Sequence, residues 1–229
     1  MTARPMPAAH RARRGSTFVA LAAAAALVAA CGTGEDSPAA QNDVPPQDTV
    51  APASNGDAAD GDAFAIAELV DPEGQQRGTV TFTETNGGTL VSLDGADLSP
   101  GFHGFHIHST GLCESDSQAP GDPTETGAFL SAGGHLKGDD DEAEHPNHAG
   151  DLPPLYVAED GTARITTLTD RLDRDLLLDD DGSAVMIHED SDNLANIPER
   201  YAPEGPDEDT LNAGDGGSRV ACGVVLEQN

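Results

Sequence analysis

The chain has 229 residues, enough for one ordinary domain with extensions and too few for two full enzymatic domains. Lysine and arginine total 11 against 41 aspartates and glutamates, a formal charge of −30, the wrong sign for a nucleic-acid binder. No tryptophan, two tyrosines and 26 glycines point to strands and turns rather than to a large aromatic core. Lys137 is the only lysine, and aspartate outnumbers glutamate, a bias shared by salt-adapted and secreted proteins.

Arg4, Arg11, Arg13 and Arg14 precede an apolar run from Phe18 to Ala30 that stops at Cys31. A basic start, a short apolar segment and small residues at its end read as an export signal over residues 1–30. Its 13 apolar residues fall short of the roughly 20 needed for a permanent span. Leu27-Val28-Ala29-Ala30-Cys31 resembles a bacterial lipobox, with Cys31 lipidated as the mature N-terminus. The Arg13-Arg14 pair leaves both Sec and twin-arginine export open. Cleavage would leave seven basic residues against 41 acidic ones, a formal charge of −34. Residues 31–62 are rich in Ala, Pro, Asp, Gly, Ser and Asn and lack a core-forming pattern, so they read as a disordered tether. The folded domain is expected over 63–229, on the outer side of a cell envelope and lipid-anchored to the membrane. Outside the cytoplasm the remaining pair, Cys113 and Cys222, suggests a disulfide, with two reduced thiols as the other reading.

From Ala63 onwards, short apolar runs alternate with Gly, Asp, Asn and Pro. The candidate strands are Ala63–Val70, Thr79–Glu84, Thr89–Leu93, Gly101–His108, Pro154–Ala158, Ala163–Leu168, Ala184–His188 and Arg219–Leu226. Thr85-Asn86-Gly87-Gly88 signals a hairpin. Eight strands with almost no helical periodicity predict an all-β antiparallel sandwich or barrel. Two long polar excursions, Ser109–Pro153 and Glu189–Ser218, have the length of functional loops.

The histidines border those excursions. His106 and His108 are two apart on one strand and share a face, whereas His103 takes the other. His135, His145, His148 and Asp151 follow within one Gly-rich loop, and His188 ends a later strand. Six imidazoles and a carboxylate around one set of loops suit copper or zinc, and no spare thiols remain for an iron–sulfur cluster.

Four separated motifs carry a resemblance: Gly101-Phe102-His103-Gly104-Phe105-His106-Ile107-His108, Ala132-Gly133-Gly134-His135, His148-Ala149-Gly150-Asp151 and Gly217-Ser218-Arg219-Val220-Ala221-Cys222-Gly223. Together they resemble the signatures of copper/zinc superoxide dismutase, over about Ala63 to Glu227. The resemblance implies an eight-stranded Greek-key barrel. It implies copper on His106, His108, His135 and His188, with zinc on His135, His145, His148 and Asp151. Asp192 matches a carboxylate linking His106 to His145, and His103 matches a structural histidine. Cys113 and Cys222 match the family's intrasubunit disulfide. His135 and Arg219 match the catalytic pair, Arg219 standing beside copper. The implied activity is disproportionation of superoxide to dioxygen and hydrogen peroxide, protecting the cell envelope. A non-catalytic copper/zinc-binding envelope lipoprotein is the alternative. A homodimer is compatible with the family, whose bacterial members differ in their subunit contacts.

Two departures stand out. His145 and His148 are only three apart, where many family members carry a longer insert, and Ala213 stands where the family usually has a channel threonine. The acidic body, with Glu189 and Asp190 expected near the channel mouth, predicts weaker guidance of an anionic substrate than the family usually shows.

Overall fold

Alternation along the strands builds the core. In the computed structural model, which describes residues 61–228, β1 (Ala65–Val70) buries Ala65, Ala67 and Leu69 and exposes Glu68 between them. The strands β2 (Gln76–Thr85) and β3 (Gly88–Gly95) form a hairpin closed by Asn86 and Gly87, and bury Val80, Phe82, Val91 and Leu93 in the same way. Each large side chain so buried contributes on the order of 1.5–3 kcal/mol.

The remaining strands are β4 (Gly101–His103), β5 (Phe105–His108), β6 (Ser117–Ala119), β7 (Asp122–Gly127), β8 (Leu155–Val157), β9 (Ala163–Thr169), β10 (Ala184–His188), β11 (Arg219–Val224) and β12 (Leu226–Glu227). Ten of them form one sheet, in the order β4-β8-β9-β3-β2-β1-β11-β10-β5 with β12 alongside β1. Every pairing is antiparallel. The two ends of that order, β4 and β5, are consecutive in the chain and separated only by Gly104. The sheet therefore nearly closes on itself through one bent strand. With β4 and β5 counted together and the two-residue β12 set aside, the barrel has the eight expected strands. The jumps from β3 to β4 and from β9 to β10 give it Greek-key connectivity.

Three elements depart from the expectation. The hairpin β6–β7 lies inside the first excursion, and its exposed sequence gives no apolar alternation. Two short helices also form, α1 (Arg174–Leu177) and α2 (Glu208–Ala213). Their signals are local caps: Asp173 accepts from the Leu176 N–H and Asp207 from the Thr210 N–H. Both ends of the domain meet, with the Gln228 N–H donating to the Phe64 carbonyl at 2.8 Å. The expected export signal, tether and lipidated Cys31 lie outside the described residues.

Outside the barrel, Phe129, Ala132, Ala184 and Met186 gather around Cys222 in a second small core. There Cys113 is bonded to Cys222, tying the first excursion to β11 across 109 residues of chain. Cross-linking a loop of that length stabilises by about 4–5 kcal/mol through the unfolded ensemble in the chain-entropy account. Replacing both cysteines by serine is expected to lower the free energy of denaturant unfolding by that amount, and reductant should then change only the native protein.

Candidate metal centre

Backbone pairing brings the site together. On β5, Phe105 and Ile107 face the barrel core, so His106 and His108 face outwards. One edge of β5 pairs with β10, where Ala184 lies opposite His108 and Met186 opposite His106. His188 continues that outward row, its N–H donating to the Gly104 carbonyl at 2.9 Å. A Cβ on Gly104 would lie 3.0 Å from His106 Cε1 and 3.2 Å from His188 Cβ, so glycine there lets the rings approach.

The other edge of β5 is covered by two arms of the first excursion. His135 lies opposite His108, and Asp151 opposite His106. The Leu136 N–H donates to the Ile107 carbonyl at 2.8 Å, and the Ile107 N–H to the Gly150 carbonyl at 2.9 Å. All six rings and Asp151 are buried.

Four of the rings are each anchored through one nitrogen. His108 Nδ1 donates to the Gly133 carbonyl at 2.9 Å and His188 Nδ1 to that of Gly217 at 3.3 Å, which leaves their Nε2 atoms 3.3 Å apart. His106 Nε2 donates to Asp192 Oδ2 at 3.0 Å, and His145 Nε2 to Asp192 Oδ1 at 2.8 Å. His106 Nδ1, His135 Nε2, His145 Nδ1 and His148 Nδ1 are buried without a hydrogen-bond partner. Buried polar atoms are seldom left so. Here they converge.

One ligand atom from each of His106, His108, His135 and His188 lies within 4.8 Å of the others, and His106, His135, His145 and Asp151 form a second such group. Around Asp151, His135 Nδ1 lies at 2.7 Å and His145 Nδ1 at 3.1 Å from Oδ1, and His148 Nδ1 at 3.1 Å from Oδ2. The two nitrogens of His135 thus belong to different donor sets. The short His145–His148 spacing still delivers both rings to one carboxylate. The donor types, four imidazoles in one set and imidazoles with a carboxylate in the other, fit copper and zinc.

Asp192 sits at the hinge of the arrangement. Its side chain is fully buried and also accepts from the Leu194 N–H at 2.7 Å. Gly214, the left-handed C-cap of α2 at φ 58°, packs against Asp192 and His145 so closely that a Cβ would collide with both. The His145 N–H donates to the Leu211 carbonyl, binding the loop that carries it to α2. His103 is buried apart from the cluster, its ring nitrogens 2.7 and 2.8 Å from the carbonyls of Ser99 and His188.

The rings open onto a cavity of about 930 Å³ lined by His108, His135, His148, His188 and Arg219. Arg219 is anchored by Nη1 to the Phe129 carbonyl at 2.6 Å and by Nη2 to that of Gly133 at 2.7 Å. Ala213 lines the wall. The acidic lining residues are Glu125, Asp209 and Asp215, and neither Glu189 nor Asp190 is among them. They stand just behind the wall, their N–H groups bonded to the carbonyls of Ser218 and Gly216, which do line it. Glu125 comes from the hairpin β6–β7, which lacks a periodic signal, and this is why sequence reading missed it.

The comparisons agree with this geometry. The family model described as copper/zinc superoxide dismutase matches residues 76–225. The chain belongs to the copper/zinc superoxide dismutase family. A superoxide dismutase [Cu-Zn] of Mycobacterium tuberculosis is 39% identical over 246 aligned residues, covering 96% of this chain and 98% of that protein. One from Escherichia coli K12 is 38% identical over 157 residues, 66% of this chain and 80% of its own. The Cu/Zn superoxide dismutase structure from Brucella abortus aligns with a TM-score of 0.54 at 28% identity, covering 70% of this chain and 98% of that one.

Charge within the dismutase site is set by burial and by the two carboxylates. Burial, helped by neighbouring cations, holds His108 and His188 well below the usual histidine value; burial also brings His135 to about 4 despite Asp151. For His145 burial pulls the same way, but Asp151 and Asp192 override it and raise the ring to about 9. Burial raises Asp151 and Asp192, yet their histidine hydrogen bonds win and hold both below the usual carboxylate range. An unfolded histidine titrates near 6.5. The depressed rings therefore add stability above pH 6.5 that is lost as pH falls through about 4, judged from His135. The raised His145 adds stability below pH 6.5 that is lost as pH rises through about 9. Calorimetry of protein stripped by chelation is expected to show thermal stability falling on both flanks of neutrality.

Proposed function

We propose that the chain disproportionates superoxide into dioxygen and hydrogen peroxide. His106 Nδ1 and the Nε2 atoms of His108, His135 and His188 would hold copper; the Nδ1 atoms of His135, His145 and His148, with Asp151, would hold zinc. The observation that carries this reading is the placement of the buried His135 ring, with Nδ1 on Asp151 and Nε2 left unpartnered, in both donor groups. Copper, when bound, supplies the redox couple, accepting an electron from one superoxide and returning it to a second.

The chain's own residues do the rest. Arg219, fixed by two carbonyls, presents a stationary positive charge to the anion inside the cavity. When copper does not occupy it, His135 Nε2 is the atom at which the protein could hold one of the two protons that peroxide requires. The buried rings of His108 and His188 close the cavity floor. A storage or delivery protein would need the rings but has no use for Arg219 in the wall.

Asp192 acts through the rings it orients. Asp192→Ala is expected to weaken zinc about 10–100-fold and to alter the copper spectrum in the same preparation. Metal titration with parallel spectra checks this, and unchanged zinc would remove His145 from the ligand set. The activity itself is tested by cyanide-sensitive superoxide decay on protein loaded with both metals. A loaded protein that binds both ions and consumes no superoxide would favour the carrier reading.

The same proposal places the enzyme at the cell envelope, held by lipid on Cys31 and protecting against oxidants from outside. Its support is the basic start, the apolar run and the small residues before Cys31. Among the described residues no helix is long and apolar enough to cross a membrane. Cys31→Ser is expected to move the mature protein from the membrane to the soluble fraction. Retention on membranes after leader cleavage would sink the lipid anchor.

A further inference from the structure

Four of the six rings at the metal centre are anchored through a ring nitrogen, His106 and His145 by Asp192, His108 and His188 by main-chain carbonyls. A fifth, His135, meets Asp151 through Nδ1. His148 is the sixth. Its Nδ1 lies 3.1 Å from Asp151 Oδ2 without a hydrogen-bond partner. The ring also stands outside the group that His106, His135, His145 and Asp151 form within 4.8 Å. What is held at His148 is the main chain. Its N–H donates to Asp151 Oδ2 at 2.9 Å, and its carbonyl accepts from the Asp151 N–H at 3.2 Å and from Arg171 Nη1 at 3.0 Å.

Arg171 reaches this loop from the far end of β9. The same Nη1 donates to the Pro146 carbonyl at 3.2 Å, so one nitrogen spans the segment that joins His145 to His148. That segment contains no helix or strand of its own. The mount of Arg171 is firm by contrast. Its N–H donates to Thr169 Oγ1 at 3.2 Å, and the next residue, Leu172, is buried in the barrel core. The Leu172 carbonyl accepts from the buried Thr89 hydroxyl at 2.7 Å. Arg77, Arg164 and Arg174 pair with carboxylates, whereas Arg171 forms no ion pair among the described residues. Its charge instead strengthens two bonds to carbonyls, since charge-assisted hydrogen bonds are roughly twice as strong as neutral ones. Charge and position then act on a metal ion with opposite signs. A cation beside a donor group repels zinc, so by charge alone Arg171 weakens its binding. By position it strengthens binding, because a partner that orients a ligand changes affinity by about 10–100-fold.

We propose that Arg171 is the positioning residue of His148. It clamps the short segment between His145 and His148 to the barrel and so delivers the last ring to the zinc donor group. Asp192 orients His145 through its ring; Arg171 orients His148 through its main chain. This rests on the zinc reading above and adds to it a residue that holds no metal and does not line the cavity.

The test uses the full chain and four variants: Arg171→Gln, His148→Ala, the two combined, and Arg164→Gln. The last makes the same change in net charge at an exposed position on β9, away from the loop. Zinc affinity is measured by competition with a chromophoric chelator. Cobalt(II) is then bound in place of zinc, so that its visible spectrum reports the geometry of the group. Copper content and far-UV circular dichroism are recorded alongside. Arg171→Gln is expected to weaken zinc about 10–100-fold and to change the cobalt spectrum, with copper content and circular dichroism as in the native protein. In the His148→Ala background, adding Arg171→Gln should lower zinc affinity no further, because both changes act through one ligand. Arg164→Gln should bind zinc as the native protein does. Unchanged or tighter zinc in Arg171→Gln, the outcome of charge alone, would overturn the proposal. So would a full additional loss in the combined variant, or an equal loss in Arg164→Gln. Loss of copper and of the native circular dichroism together with zinc would also overturn it, assigning Arg171 to the fold rather than to His148. Native protein that takes up neither zinc nor cobalt at this group would overturn the zinc reading, and the role of Arg171 with it; in every other failure the zinc reading stands.

Discussion

A single buried carboxylate organises this protein. Asp192 spends one oxygen on His106 and the other on His145, and so fixes which nitrogen each ring turns to the shared centre. Unpaired, such a group would be costly to bury. With two ring donors and the Leu194 N–H, its charge becomes an asset of the fold. The second excursion must then pass close to the first, which explains the left-handed Gly214 and the bond from His145 to Leu211. Remote parts of the chain are held in register by one ion.

The barrel supplies the rigid side of that arrangement. Because the sheet returns to its start through Gly104, β5 has a partner at one edge and a free edge at the other. The loop arms bearing His135 and Asp151 bond to that free edge as single bridges rather than as strands. Ligand positions are thus set by backbone pairing at β5, and the disulfide and Arg219 pin the same excursion from the far side. Loops with little regular structure acquire the definition of a sheet.

Strands, excursions and the histidine cluster were legible because each leaves a local mark. Period-2 burial in β1 and β3 follows directly from the residues, and the row His106, His108 needs only strand parity. The four motifs supplied the family and the Cys113–Cys222 pairing that the structure contains. What stayed hidden depends on contacts distant in sequence. Glu125 reaches the cavity on a hairpin of polar residues, and Asp209 and Asp215 reach it through α2 and the turn after it. Helices α1 and α2 are too short for periodicity and rest on single caps. The break of one predicted strand into β4 and β5 turns on Gly104, where the close approach of His188 cannot be read from neighbours in the chain.

The meeting of the domain's ends has a separate meaning. With Gln228 bonded to Phe64, the linear order of the strands is one of several that the same barrel accepts. A few residues could join the ends, and the ring could be reopened at the exposed turn of Asn86 and Gly87, far in sequence from every ligand. The metal centre belongs to the closed sheet rather than to the direction of the chain. After carrying Arg219 and Cys222, β11 leads through β12 back to the start of β1.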